Sequence, residues 1–439
     1  MFNVFRNAWK IDDLRKKILF TVMIIVLYRL GSHIPVPFID ASKLESLFTL
    51  GKDGTILSFL NIMAGGAMEQ ASFFALSISP YINASIIMQL LAVAIPALER
   101  IMKEDGERGK KIMEKWTRIL TVGLSVILGF GYYTLITNSQ ATGAADVVTS
   151  YGSKAADIFV AIVITASFAA GSMLVMWLGE LINEKGIGNG ISIILFAGII
   201  AGGIKLIGTA YYTIVNTPKT GWLVVLLVAV AALVMVAFVV FVTNGERRIP
   251  VQYAKKVVGR KMYGGQSTNI PLKVNMTGVL PIIFAQSFVT LPATLTTLFG
   301  WSNNWFGKFS AVLSPGGWVY TVLMLVLIIF FSYFYTVITF NPVEVASNLK
   351  KNGGFIMGIR PGKPTSDYIT KTLNRVTLIG ALFLGIVSAL PNVAAMIHES
   401  FAGFAIGGTS LLIVVGVALE TVKSLESQML MRHYKGFLE

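Results

Sequence analysis

Apolar and polar positions along the chain fall into ten long apolar runs separated by polar segments, near residues 18–30, 73–95, 119–136, 158–178, 187–207, 222–242, 274–298, 318–340, 376–390 and 404–419. A helix needs roughly 20 apolar residues to cross a bilayer, so flanking residues are expected to complete the last two runs. The stretch from Gly54 to Leu91, GTILSFLNIMAGGAMEQASFFALSISPYINASIIMQLL, departs from that pattern. Residues 55–63 are apolar but too few: at ~1.5 Å of rise each they cannot cross a ~30 Å hydrocarbon layer. Ala64-Gly65-Gly66 then breaks the helix and is expected to act as a hinge. Residues 73–91 are long enough to span yet carry Pro80, Asn83, Ser85 and Gln89. That polar load suits a helix lining a cavity or a neighbour rather than lipid. The stretch therefore reads as a short half-helix, a hinge and a polar-flecked span.

Charge alternates from loop to loop. One set is basic, with Arg6, Lys10, Arg15, Lys16 and Lys17 before the first run and Arg100 to Arg118 after the second. The same set holds Arg247, Arg248, Lys255, Lys256, Arg260, Lys261 and Lys273 after the sixth run, and Lys350, Lys351, Arg360, Lys363, Lys371 and Arg375 after the eighth. The other set holds only Lys43, Lys52, Lys154, Lys219 and Lys308. Basic residues stay on the cytoplasmic side, which puts both termini there, as an even number of spans requires. Composition agrees: 54% of residues are hydrophobic, 13% are charged and the net charge of +14 is mostly this topology signal. The first run lacks a small-residue cleavage site and reads as a retained span. Cysteine is absent, and His33, His398 and His433 are scattered, so metal, thiol and histidine chemistry are not expected.

Two of the basic loops exceed what topology needs. Residues 243–273 alternate basic with apolar residues in a strand-like rhythm through Val251, Tyr253, Val257 and Val258. Residues 341–372 contain a stiff turn, Arg360-Pro361-Gly362-Lys363-Pro364. Long ordered loops more often bind a partner than merely connect, so a large basic partner surface is the favoured reading over mere anchoring to acidic lipid headgroups. Ten spans divide into five plus five, and an odd number per half forces opposite orientation, as in inverted-repeat membrane proteins. A last motif, WLGELINEKGIGNGISIILF from Trp177 to Phe196, reads as a tight helix hairpin: Gly186, Gly188 and Gly190 permit close approach and positive φ, and Asn189 caps the next helix.

This hairpin and SFFALSISPYINASIIMQLL resemble the two signatures of the SecY family, the central subunit of the protein-conducting channel. YRLGSHIPVP, ERRIPVQYAKK, QSTNIPLKVNMTGVLPIIFA, FNPVEVASNLKKNGGFIMGIRPG and GGTSLLIVVGVALE match further family blocks in order, so the resemblance covers essentially the whole chain. Ser77 stands where the family usually has glycine, a departure expected to affect only local packing, and Leu195 stands at a position often occupied by isoleucine.

The resemblance implies an all-α polytopic membrane protein: ten transmembrane helices in two inverted five-helix halves, 1–208 and 209–439, around an hourglass pore. It implies a plug at 54–70, including Thr55, Ile56, Leu57, Phe59, Leu60, Ile62, Met63, Gly65 and Gly66. Ile78, Ile82, Ile191, Leu195, Ile283 and Ile413 match an apolar pore ring; Ile78/Ile82 and Ile191/Leu195 are i, i+4 pairs, each on one helix face. Asn83 and Leu291 match facing positions of a lateral gate between the second and seventh spans, with Gln89 and Gln286 expected to add polar contacts between those helices. Arg29, near a span end, is expected to snorkel. The basic loops, with Arg247, Arg248, Lys255, Lys256 and Arg360, match contacts for a SecA motor or a translating ribosome. The implied activity is passage of unfolded preproteins bearing signal sequences across the bacterial cytoplasmic membrane, with lateral release of hydrophobic segments into membrane lipid. SecE and SecG would be small partner subunits, and the chain would hold no cofactor and not be an enzyme. A secondary transporter also uses broken helices and inverted repeats, but it needs charged or ion-coordinating residues at midplane, which these spans scarcely offer.

Overall fold

The computed structural model describes residues 2–44, 61–104, 106–141, 147–149, 153–216, 221–253, 256–258, 261–263, 267–299, 304–313, 317–397 and 407–435. Its helices are α1 (Phe2–Trp9), α2 (Asp12–Gly31), α3 (Ser79–Ala94), α4 (Pro96–Glu104), α5 (Gly106–Ala141), α6 (Lys154–Lys185) and α7 (Gly190–Asn216). There follow α8 (Gly221–Thr243), α9 (Leu280–Phe299), α10 (Trp305–Val312), α11 (Trp318–Thr339), α12 (Pro342–Lys351), α13 (Lys363–Ile397) and α14 (Gly407–Lys435). The ten apolar runs map onto α2, α3, α5 to α9, α11, α13 and α14. By length and apolar composition, Gly106–Thr137, Lys154–Lys185, Gly221–Thr243, Trp318–Lys351 and Lys363–Ala394 are each sufficient to cross a membrane among the described residues. Ser79–Ala94, Gly190–Gly203 and Leu280–Thr296 are shorter apolar helices. α8 is apolar on every side and mostly exposed, as a lipid-facing helix should be.

The packing order repeats. α5 lies against both α3 and α6 as α11 lies against both α9 and α13, and α6 meets α7 as α13 meets α14. These are equivalent pairs if each helix in the first five is matched with its counterpart in the second five. The two sets meet on one side through α9 against α3 and α5, and on the other through α7 against α8 and α14. α7 continues to Asn216, so the expected division at residue 208 falls inside a continuous helix. An apolar helix has no reason to stop at Gly208, which here is simply a helical glycine with open space beside it.

The second run also differs from expectation. Its helix begins at Ser79, with Pro80 in the first turn, not at residue 73. Residues 64–78 are a series of turns packed into the protein, with Ala71 and Ser77 at φ of +43° and +50°. Gly171 on α6 makes room for them, because any side chain there would strike the Phe73 carbonyl oxygen. Ser77 is therefore a backbone matter and not a packing one: the family's glycine fits a left-handed residue, where serine is strained. Hydrogen bonds compensate, with the Tyr28 and Ser77 hydroxyls 3.2 Å apart and Ser172 Oγ donating to the Ser77 carbonyl at 3.3 Å.

The two long basic loops join in one small sheet. β1 (Glu246–Tyr253) lies between β4 (Ser267–Lys273) and β5 (Gly354–Ile356), both antiparallel to it, while β2 (Lys256–Val258) and β3 (Lys261–Tyr263) form a separate hairpin. Val251 faces Thr268 on one side and Ile356 on the other. Alternation on β1 buries Ile249 and Val251 against Leu272, Leu349, Ile356, Ile369 and Leu373, so the sheet, α12 and the start of α13 share a core of their own. Asn341 caps α12 by accepting the Val343 and Glu344 N–H groups.

Candidate functional site

The six expected ring residues arrive from four helices. Ile82, Leu195, Ile283 and Ile413 lie on α3, α7, α9 and α14, and all are buried; Ile78 is the buried N-cap of α3, and Ile191 is half-buried at the start of α7. Ile78, Ile82, Leu195, Ile283 and Ile413 belong to one hydrophobic cluster, and Ile191 packs against it. The Ile82 N–H donates to the Ile78 carbonyl at 3.1 Å, so the pair keeps one face although Ile78 is not itself helical.

Glycines set these positions. A side chain on Gly190 would collide with the Gly179 carbonyl oxygen, so α6 and α7 meet backbone to backbone at the top of the hairpin. Gly188 sits at φ +77°, and Asn189 Oδ1 accepts the Ile191 N–H at 3.1 Å, which fixes the helix start that carries Ile191 and Leu195. On the other side, a side chain on Gly416 would strike Val279. That contact brings α14 onto the first turn of α9. One turn further along each helix stand Ile413 and Ile283.

Met63 is in the same cluster as the ring residues. Residues 61–63 are helical, and the helix ends in a pair of left-handed glycines, Gly65 at φ +68° and Gly66 at φ +86°. The Gly65 N–H donates to Ile62 O at 2.9 Å and the Gly66 N–H to Asn61 O at 2.8 Å. This is a Schellman cap, a fixed terminus and not the hinge that the glycine pair suggested. Ile62 and Met63 are thereby set against α7, where Gly198 and Gly202 leave space: added side chains would meet the Met63 and Ile62 carbonyl oxygens. Thr55, Ile56, Leu57, Phe59 and Leu60 lie outside the described residues. Arg29 does not snorkel. Its guanidinium Nη1 donates to the Gly65 carbonyl at 3.2 Å, a bond that draws the side chain inward.

Asn83 and Leu291 line one narrow cleft between α3 and α9, together with Met63, Met68, Gln286 and Thr290. Its volume is about 50 Å³, room for a few waters and not for a peptide. The two glutamines are engaged elsewhere than expected. Gln286 exchanges hydrogen bonds with Tyr320 at 2.9 and 3.1 Å, and Tyr335 donates to Gln89 Oε1, while Gln89 Nε2 donates to Ser85 at 3.0 Å. Both tyrosines are on α11. The polar ties thus run from α3 and α9 to α11 and not between α3 and α9. Tyrosine, unlike glutamine, brings a ring that packs: Tyr335 lies 5.1 Å from Phe284 and 5.7 Å from Phe334, centroid to centroid. Sequence reading missed Gly198, Gly202, Tyr320 and Tyr335; only the i, i+4 spacing of the two glycines signalled a close approach.

A larger cavity, about 430 Å³, opens where the ends of α8 and α11 and the start of α9 meet the middle of α14. Lys273, Asn275, Thr277, Glu420 and Lys423 line it. Lys423 lies beyond the apolar run that ends at Leu419 and donates to the Thr243 carbonyl at 3.3 Å. Burial pushes its ammonium pKa below the usual lysine value, and the Lys273 charge adds to that. Arg247 and Arg248 on the neighbouring sheet, and Arg360 in the turn before α13, are exposed, Arg248 pairing with Glu246 at 2.6 Å. Lys256 opens β2, and Lys255 lies outside the described residues. α1, Ile187 of the hairpin and Leu425 of α14 share a small core, so both ends of the described chain lie on one face.

Residues 72–422 match the SecY family model. The chain is 44% identical to the protein translocase subunit SecY of Streptomyces galbus and 46% identical to that of Streptomyces griseus, over 100% of each chain. It is 42% identical to the SecY subunit of Mycobacterium bovis, again over 100% of both. A solved structure described as a protein-conducting channel superposes with a TM-score of 0.67 at 18% identity, covering 94% of this chain and 92% of that one. Sec61 from a canine ribosome–channel complex of the endoplasmic reticulum superposes with a TM-score of 0.62 at 15% identity, with the same coverage.

Proposed function

The chain belongs to the SecY family and is a polytopic membrane subunit of a protein-conducting channel, and on that premise we propose how its residues divide the work. Ile78, Ile82, Ile191, Leu195, Ile283 and Ile413 form the pore ring. The single observation that supports this reading is that all six, from four helices, belong to or pack against one apolar core that also holds Met63 and extends to residues of α2, α6, α8, α11 and α13. A ring of branched aliphatics closes by shape and by excluding water, and it offers a moving peptide no hydrogen-bond partner that would hold it.

Residues 54–70 are the plug, and Ile62 to Gly66 are its seated end. Separation of α3 from α9 opens the lateral gate, along the cleft lined by Asn83 and Leu291, and releases hydrophobic segments into lipid. The closed cleft and the buried ring correspond to a resting channel. Residues 1–216 and 221–439 are the two inverted halves, a division supported by the repeated packing order. Both termini and the β1–β4–β5 sheet face the cytoplasm, and the membrane is the bacterial cytoplasmic membrane.

Energy comes from outside the chain. Arg247, Arg248, Lys255, Lys256 and Arg360 contact a SecA motor or a translating ribosome, and SecE and SecG complete the channel. The subunit itself has no enzymatic role. The test is reconstitution in proteoliposomes with SecE, SecG, a SecA motor, ATP and a signal-bearing preprotein, with uptake of small solutes assayed in parallel. Protease-protected preprotein is the expected product. Solute uptake without protected preprotein would favour a secondary transporter.

A further inference from the structure

At the end of the molecule opposite the β1–β4–β5 sheet, between α9 and α11, the short helix α10 turns its apolar side outward. Trp305, Phe309 and Val312 are 78%, 50% and 52% exposed. Their i, i+4, i+7 spacing places all three within a ~60° arc of the helix surface. The opposite side faces the protein. Gly307, Ser310 and Leu313 are buried, and Leu313 belongs to the apolar core that also holds Tyr320 and Met324 of α11. Ser310 Oγ donates to the Gly307 carbonyl at 2.9 Å, which leaves the Thr296 hydroxyl of α9 to donate to Ser310 at 2.7 Å. A buried hydrogen bond to α9 therefore sets which way α10 faces, and the aromatic side cannot roll inward without breaking it. The neighbouring surface shows what that side meets. Trp318, Val322, Val326 and Phe330 of α11 are exposed at i, i+4 spacing, the apolar stripe of a spanning helix that faces hydrocarbon. Trp318 opens that helix, where tryptophan marks the boundary between lipid and water. Only a short connection, at most ~21 Å of chain, separates Val312 from Trp318. Lys308, also exposed, flanks the apolar arc of α10.

We propose that α10 is an interfacial helix whose partner is lipid: Trp305, Phe309 and Val312 enter the boundary region of the leaflet opposite the sheet, and Lys308 reaches the phosphates of acidic headgroups there. The proposal needs only that the chain spans a membrane, and it is independent of the plug, ring and gate assignments. The residue types fit that boundary. An indole has an apolar body and one N–H donor, so it rests where hydrocarbon gives way to headgroups. A lysine beside such a face lays its methylenes along the lipid and lifts its ammonium to the phosphates. So small an apolar face would hold a free peptide to a membrane only weakly. Here the two flanking spans deliver it to the bilayer, and the Thr296–Ser310 bond presents it in the right orientation. The far end of α9 is thereby tied to an element that reads the depth of the lipid–water boundary directly.

The chain has no cysteine, so a single introduced thiol can carry a fluorophore without competition. The full channel complex is reconstituted in vesicles of phosphatidylcholine and phosphatidylglycerol, labelled at Phe309→Cys or, separately, at Val312→Cys. Leu233→Cys on α8 is the deep lipid control and Ser42→Cys the aqueous one, both positions being exposed. A nitroxide near the headgroup should quench both α10 labels about threefold more than one at the end of the acyl chain, the reverse of the order at Leu233. Iodide on both sides of the vesicle should quench the Ser42 label and spare them. At equal content, nitroxide-bearing phosphatidylglycerol should quench them more than phosphatidylcholine does, by up to about fivefold, and Lys308→Gln should remove that difference. Trp305→Asp with Phe309→Asp should release the Val312 label from lipid to iodide. If Phe309→Cys does not accumulate in the membrane, the Val312 label decides alone. Iodide quenching equal to that of Ser42 would place α10 in water and overturn the proposal. Labels that neither quencher reaches would mean that protein covers this face, another subunit or a second copy, and would overturn it as well. A lipid preference unchanged by Lys308→Gln would remove the lysine from the contact.

Discussion

The Tyr335 hydroxyl of α11 donates its hydrogen bond to the Gln89 side chain of α3, joining helices that belong to opposite halves of the chain. Its neighbours are aromatic: Phe284 and Phe334 pack against this tyrosine, and Phe331 packs against both of them. If the gate opens between α3 and α9, this bond must break while the aromatic group stays with α9 and α11. Tyr335→Phe keeps the ring and removes one hydrogen bond, a loss of ~1 kcal/mol. The expected result is a fivefold to tenfold gain in translocation of preproteins with weakened signals, with normal assembly. Unchanged discrimination in the phenylalanine variant would remove this bond from the gate.

Absence of cysteine from the chain makes the cleft directly testable. Asn83→Cys with Leu291→Cys should cross-link on oxidation, stop preprotein transport and recover it on reduction. A pair that never cross-links would show that these two positions do not face each other across a moving seam.

Single cysteines at Ile78, Ile82, Ile191, Leu195, Ile283 and Ile413 should all react with one narrow segment of a transport-arrested preprotein. Leu226, exposed on α8, serves as the lipid-facing control. Ile191→Ser should be tolerated, because five aliphatic neighbours can close on the gap, whereas serine at most of the six should raise ion leak. Lys at Ile413 should disturb closure more than Ser does, since a charge in that cluster has no partner. Reactivity no better than that of Leu226 would dissolve the ring while leaving the family membership intact.

Arg360 stands on the surface where Gly362, at φ +105°, turns the chain into α13, and Thr365 Oγ1 fixes that turn by donating to the Arg360 carbonyl at 2.8 Å. Its fork of donors is suited to a carboxylate. Arg360→Glu should abolish motor-driven translocation with expression and membrane insertion unchanged. Normal translocation rates would reduce the loop to a topological anchor.

Ser77 predicts a stability result independent of transport. Ser77→Gly relieves left-handed strain of ~1 kcal/mol but loses a buried hydrogen bond of similar size, so thermal stability should barely move. Ser77→Val loses the bond and adds a β-branched side chain at φ +50°, a cost of about 2 kcal/mol or more. A valine variant as stable as wild type would contradict the assigned backbone.

Much of this molecule is legible in its sequence because membrane helices announce themselves through continuous apolar runs. The hairpin at Gly186 to Gly190 was readable for a local reason, as its cap and glycines lie within a few residues of one another. The strand rhythm of 243–273 was equally local, and β1 and β4 are its outcome. β5 was not readable: a three-residue strand gives no period, and its partner is in a loop two spans earlier. The same holds for Gln89 and Gln286. A polar residue in a span advertises that it needs a partner but not which one, and Tyr335 and Tyr320 were hidden among sixteen other apolar and aromatic positions of α11. Arg29 misled because its usual escape to the interface was pre-empted by a carbonyl that the fold brings within reach. Gly65 and Gly66 misled because glycine serves hinges and caps equally, and only the two hydrogen bonds back to Ile62 and Asn61 distinguish them.

The shared sheet of the two long loops has a mechanical consequence. β1 and β4 follow and precede α8 and α9, and β5 lies between α12 and α13, so three stretches of chain that lead to separate helices are riveted by antiparallel ladders over a common apolar core. A push delivered at Arg360 cannot be absorbed by bending one loop. A load there would be shared among the helices joined to the sheet, as a wrench grips a bolt head, while α2, α3, α5 and α6 have no such handle among the described residues. Load applied to that sheet would therefore tend to rotate one half of the molecule against the other, with the seam along α3 and α9 as the place where the torque is released.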